Sequence, residues 1–354
     1  MIRRIQNIVA ESRVTLPVTV VYAVAIWLLT GLLKEQWWIQ FVCFAASVAL
    51  MMELNNQNLL IRVFSRMVSS IYIVLTCTAV FLFPSLSGAI LQLCTIAALC
   101  LLYHTYQDKA SMGWIYFAFL CVGLGSLMDI HMFWYVPLLW VIMTWFTYSL
   151  SWRTFFASLL GLLTPYWFIA AWKSYHGKEA LIAGIKEVSH SFDLIVQPDY
   201  AALPLQQTLF LAFLVILAIA GTIHFLLTSY HDKIRVRQLY YSFIIMTCFS
   251  CVLIGLQPQH YDMVIHLMII TVSPLIAHYV ALTHSRLSNI VFIVISAITL
   301  ILTGFNIWMS SFLFEVSMAT GACCWQPFWP AVSSRSRARQ SWWLSWLQVL
   351  THGC

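Results

Sequence analysis

Arginine is the residue that most constrains this chain. Arg3, Arg4, Arg13, Arg62, Arg66, Arg153, Arg235, Arg237 and Arg286 all lie in connections of one parity between long apolar runs, and connections of the other parity hold none. Random sorting of nine residues would give this pattern roughly once in 250 trials, allowing either orientation. Positive side chains are retained on the cytoplasmic side of membrane-spanning segments, so the pattern predicts repeated crossings with the N-terminus inside. Lysine is less sorted: Lys109 and Lys233 share the arginine side, while Lys34, Lys173, Lys178 and Lys186 do not.

Composition agrees. The chain has 354 residues, of which 62% are hydrophobic and 8% charged; a soluble domain carries about 25% charged residues. One soluble core cannot hide a mean hydropathy of +0.86, so lipid must solvate most side chains. The net charge of +6 resides in the arginine-bearing turns and the last forty residues. It implies contact with lipid headgroups rather than nucleic acid.

A helix needs about 20 apolar residues to cross a bilayer. That ruler predicts an all-α polytopic transmembrane bundle of about eleven spans: 15–33, 37–53, 67–83, 86–103, 112–128, 131–150, 154–172, 207–229, 239–256, 263–282 and 288–314. The first run is too long for a signal core and has no A-x-A cleavage pattern, which predicts an uncleaved first span. Residues 1–314 thus read as a single membrane domain. The outer loop 173–206 is the one connection long enough to hold structure. Within it, residues 178–190 place Leu181, Ile182, Ile185 and Val188 on one helical face, as expected for a helix lying on the leaflet.

Residues 315–354 break the pattern. Cys323-Cys324, five tryptophans and Arg335, Arg337 and Arg339 follow Glu315 on the wrong side for the arginine rule. The segment reads as an atypical tail from an altered reading frame, with an interfacial tail as the alternative.

The candidate site residues are the few ionisable groups near apolar segments, which lipid tolerates only when they reach water, a partner or a cavity. Asp129 and His131 occupy the outer turn between the fifth and sixth runs. They are expected either to form an acid–imidazole pair facing an outer cavity or simply to supply a polar turn. Asp262 and His266 open the tenth run one helical turn apart on one face. Asp262 there has the alternative role of a first-turn carboxylate favoured by the helix dipole. Arg62 and Arg66 lie one turn apart near Glu53, Asn55 and Asn56, suiting either headgroup contact or plain positive-inside anchoring. His224 and His278 read as packed span residues. Pro165 and Pro274 each free a carbonyl four residues back, at Gly161 and Ile270.

The Cys248–Cys251 pair sits inside an apolar run, where cysteine packs as a small hydrophobe, so the sequence leads to no metal and no cofactor. There is no Walker A loop, GxGxxG opening a helix, HExxH or GxSxG, which disfavours ATP-driven transport and hydrolase chemistry.

The segments ELNNQNLLIRVFSRM, FLFPSL, AFLCVGLGSLMDIHMFWYVPLLW and WRTFFASLLGLLTPYWF, between Glu53 and Trp172, resemble an uncharacterised polytopic membrane family of Bacteroidota. The segments GLGSLMDIHMFWYVP, LLTPYWFIAAWKSYHG and HYDMVIHLMIITVSPLIAHY are more distantly similar to multi-spanning (type C) glycosyltransferases that use polyprenyl-phosphate sugars. Those enzymes carry a catalytic acid in a large first outer loop. Here that loop is Lys34-Glu35-Gln36, with Glu35 its one acid, so the resemblance implies a shared architecture with any chemistry moved to Asp129 or Asp262.

The function expected from these observations is a multi-pass protein of the cytoplasmic (inner) membrane that binds or handles a lipid-linked envelope precursor, such as a polyprenyl-linked glycan, at its outer face. The loop helix, the outer acids and an aromatic belt of Trp37, Trp38, Trp134, Tyr135, Trp167 and Trp172 would form that surface. The bilayer itself is the other expected partner. A polyprenyl-phosphate-sugar glycosyltransferase, a secondary transporter and a scaffold are the alternatives.

Overall fold

A computed structural model describes residues 5–62, 65–175, 203–283 and 285–319, with side chains in the last helix through residue 310. The regular structure among the described residues is helical. In order, the helices are α1 (Ile5–Glu11), α2 (Thr15–Leu29), α3 (Trp38–Asn58), α4 (Met67–Thr78), α5 (Leu86–His104), α6 (Met112–Met128), α7 (Tyr135–Trp145), α8 (Trp152–Tyr175), α9 (Leu205–Thr228), α10 (Ile234–Leu256), α11 (Tyr261–Leu282) and α12 (Arg286–Ala319). Helices dominate because a lipid environment leaves backbone N–H and C=O groups no partners except one another.

Each apolar run holds a helix, but not each is of spanning length. Seven helices are long and apolar enough to cross a membrane: α3, α5, α8, α9, α10, α11 and α12. An eighth is added if α1 and α2, bent by 91° at their junction, form one span. The apolar helices α4 and α6 and the stretch Ile130–Trp145 are shorter. The protein is a multi-pass helical membrane protein, with seven to eight helices of spanning length among the described residues. The shorter helices are flanked by 3₁₀ turns and loop residues, such as Val80–Leu82 after α4, which are as apolar as the helices they adjoin. The proposed loop helix at 178–190 and the tail from 320 onward lie outside the described residues. Helix α12 runs on through Ala319, past the boundary drawn at 314.

Helix α11 is the axis of the bundle. Of its most apolar window, 94% is buried, and α10, α9, α4 and α5 pack around it. Helix α12 sits at the edge, with 17% of its window buried and Ile290, Ile293, Leu300 and Ile301 exposed. Outward-facing aliphatics are what a lipid-facing surface requires.

Hydroxyl pairs cross-link the helices: Tyr103 to Ser242 at 2.6 Å, Tyr135 to Ser250 at 2.7 Å and Thr247 to Thr271 at 2.8 Å. Glycine sets the closest approach. A β-carbon on Gly123 of α6 would fall 2.8 Å from the Leu162 carbonyl of α8, and one on Gly161 of α8 would strike the Tyr116 carbonyl of α6. Small residues at such crossings let helices approach in the absence of a hydrophobic drive between them.

Connections of the same parity meet. At one end Ser65 Oγ donates to the Ala10 carbonyl at 2.7 Å, and Arg62 Nη1 to the His231 carbonyl at 3.3 Å. At that same end Arg235 donates to Asn58 Oδ1 at 2.8 Å, and Ser151 Oγ to the Lys109 carbonyl at 3.1 Å. The turns around 80–85, 129–134, 204–207 and 257–262 meet elsewhere. Phe81 packs on Phe210 and Tyr261, and the Tyr261 hydroxyl donates to the Gln207 carbonyl at 2.7 Å. The bundle thus has an arginine end and an acid end.

Candidate functional site

The acid end is built from two turns. In the first, α6 stops at Met128 because Asp129 takes an extended conformation. Its carboxylate then caps the 3₁₀ turn Ile130–Trp134, the role for which aspartate is favoured at helix starts. Asp129 Oδ1 accepts the His131 amide at 3.0 Å and lies 2.7 Å from His131 Nδ1. Burial pushes the Asp129 carboxyl up, but the His131 ring and amide, together with His260, outweigh it and hold the group below the usual carboxylate range.

In the second turn, Pro258–His260 form a 3₁₀ turn and α11 begins at Tyr261. Asp262 falls in the first turn of α11, where the helix dipole favours negative charge. The ring of His260 lies over that of His131, with centroids 3.6 Å apart and planes 34° from parallel. Trp134 presents an edge-to-face contact to both, at 4.8 Å from His131 and 5.4 Å from His260. The Asp262 carboxylate is close enough to Asp129 for their charges to interact.

One turn further along α11, His266 is buried. Its Nδ1 donates to the backbone carbonyl of Asp262 at 2.7 Å. The ring rests on Gly88 in the first turn of α5, where an added β-carbon would lie 2.8 Å from His266 Nε2. A side chain at position 88 would therefore displace the imidazole.

Asp129, His131, Asp262 and His266, read from the sequence as two unconnected candidates, are joined here across more than 130 positions of chain. Asp262 and His266 do share a face of α11, but the His266 ring engages the Asp262 backbone rather than its carboxylate. His260 is the residue that sequence reasoning missed. A signal was present: Asp129-Ile-His131 and His260-Tyr-Asp262 are the same acid–imidazole spacing in opposite directions. Chemically, the cluster offers carboxylates to accept hydroxyl protons, imidazoles for proton exchange and a tryptophan wall. Asp129, His131 and His260 also bring ligand-type atoms within 4.8 Å of one another. Of the aromatic belt, Trp38, Trp167 and Trp172 are exposed, whereas Tyr135 is buried and bonded to Ser250. Glu35 is exposed in the turn after α2.

The arginine end holds a second ionisable cluster. Arg62 Nε stands 2.9 Å from Asp232 Oδ1, an ion pair off the axis of a straight hydrogen bond. Asp232 Oδ2 lies 2.9 Å from His278 Nε2, and both of those side chains are fully buried. His224 stacks nearby, 5.4 Å from His278, with neither ring nitrogen hydrogen-bonded. His278 is therefore hydrogen-bonded to a buried carboxylate rather than merely packed. Arg62 stays 39% exposed, and Arg66 is half-buried at the start of α4.

No family model, curated protein or solved structure matches this chain.

Proposed function

We propose that this membrane protein binds the polar head of a lipid-linked envelope precursor at the acid end of its bundle, on the outer face of the cytoplasmic membrane. The observation that carries the reading is the convergence of Asp129, His131, His260, Asp262 and His266 beside the central helix. Ionisable residues are costly in an apolar bundle and are kept where they contact a substrate, an ion or water. Carboxylates and imidazoles suit the hydroxyls of a sugar, and Trp134 suits the apolar face of a sugar ring. The outer sidedness rests on the arginine pattern. The lipid anchor is supported by the exposed aliphatic surface that surrounds the bundle.

Native mass spectrometry of the purified protein with its co-extracted lipids tests this reading. A retained polyprenyl-linked species, reduced about tenfold in Asp129→Asn and Asp262→Asn proteins that fold normally, is expected. Absence of any such species, or equal retention by both variants, contradicts it. A catalytic version, a polyprenyl-phosphate-sugar glycosyltransferase, is favoured by Asp129 and Asp262 lying at the same end of the bundle, close enough for their charges to interact, which gives two carboxylates for acid–base work. It requires that the same variants stop incorporation of labelled sugar at unchanged expression. A secondary transporter draws support from the second cluster at the far end of α11, around Asp232 and His278. That reading requires substrate uptake into proteoliposomes that responds to a proton gradient.

A further inference from the structure

The geometry points to a divalent transition-metal site formed by Asp129, His131 and His260, with zinc as the ion that best fits the donors. One ligand-type atom from each residue lies within 4.8 Å of the other two. Around a tetrahedral ion bound at 2.0–2.1 Å, ligand atoms stand roughly 3.3 Å apart. The separations bracket that spacing, from the 2.7 Å hydrogen bond between Asp129 Oδ1 and His131 Nδ1, which an ion would replace, up to 4.8 Å.

Three features argue for an ion over a simple polar turn. First, the donors are of mixed type. Two imidazoles and one carboxylate form the set that borderline divalent metals select, whereas calcium and magnesium take oxygen alone. Second, the His131 and His260 rings lie against each other with centroids 3.6 Å apart, which brings imidazole donors from two distant turns to one place. Third, Asp262 lies two residues from His260 in the first turn of α11 and adds a second carboxylate to the same end of the bundle, where a dication is favoured.

The surroundings also suit a metal. Three protein ligands leave a fourth position for water or substrate, the arrangement of reactive rather than structural zinc. The main-chain amide of His131 already fixes the Asp129 carboxylate, which is how outer contacts orient metal ligands. The donors come from turns about 130 residues apart, so ion binding would also clamp the α6–α7 turn to the start of α11.

The site is tested with zinc alone, without any lipid ligand, so its outcome is separate from that of the lipid-retention experiment. The tag-free protein in detergent is titrated with Zn²⁺ against a competing chelator, and with Co²⁺ as a spectroscopic probe. One equivalent is expected per chain, with visible d–d bands of a low-coordinate cobalt site. Affinity should fall on the order of 100-fold in His131→Ala and His260→Ala. His131→Gln and His260→Gln, which preserve side-chain bulk, should show the same loss with an unchanged melting temperature. His104→Ala, at an exposed histidine on the arginine end, should bind as the unaltered protein does. No stoichiometric binding, undiminished binding in the site variants, or preference for Mg²⁺ over Zn²⁺ overturns the assignment.

Discussion

At the scale of single residues, Gly88 and Asp232 carry the sharpest consequences. Gly88 gives its missing β-carbon to the His266 imidazole. Gly88→Ala should cost about 1–3 kcal/mol by overpacking and, by moving His266, weaken whatever the acid end binds. Thermal unfolding in detergent reads the first effect and lipid retention the second; an unchanged melting temperature would mean that the ring is not held there. Asp232 is fully buried between Arg62 and His278. Asp232→Ala leaves His278 without its partner, a buried polar loss of about 1–3 kcal/mol. Arg62 adds little to that figure because it is 39% exposed and rehydrates. If the variant melted with the unaltered protein, the buried pair would contribute nothing.

These residues also mark what could be read from the chain. Asp129, His131, Asp262 and His266 stood out because an ionisable group in an apolar sequence is conspicuous without any structure. Their meeting was not legible, since it depends on which loops neighbour one another around α11. His260 was passed over because it lies in the polar turn 257–262, where histidine raises no alarm. His278 looked like a packed residue because its partner, Asp232, lies 46 positions away in a loop.

At the scale of elements, helix positions follow from the apolar runs because lipid leaves the backbone no other way to satisfy its hydrogen bonds. Run length alone does not fix helix length, since Val80, Phe81 and Leu82 are apolar yet lie in a 3₁₀ turn. Partner choice among helices is also hidden from hydropathy. It is set by small residues, as at the α6–α8 crossing where Gly123 and Gly161 admit the opposing backbone. Gly161→Leu should therefore separate these two helices and destabilise the protein by more than Leu163→Ala on the exposed face of α8. Melting temperatures of the two variants check the order; equal values would contradict a close crossing. Because α6 leads directly into Asp129, separation there should also lower zinc affinity.

At the scale of the whole molecule, the account rests on two chemically different ends joined by one buried helix. His266 and His278 are twelve residues apart on α11, about 18 Å along its axis. One sits with the acid end and the other with the arginine end. The arginine pattern assigns the acid end to the outside. Single cysteines at Gln257 and at Arg237, in protein whose ten native cysteines are replaced by serine, report this directly when intact cells are treated with a membrane-impermeant maleimide. The account predicts that Gln257→Cys is labelled in intact cells and Arg237→Cys only after permeabilisation. Labelling of both from the same side would contradict it.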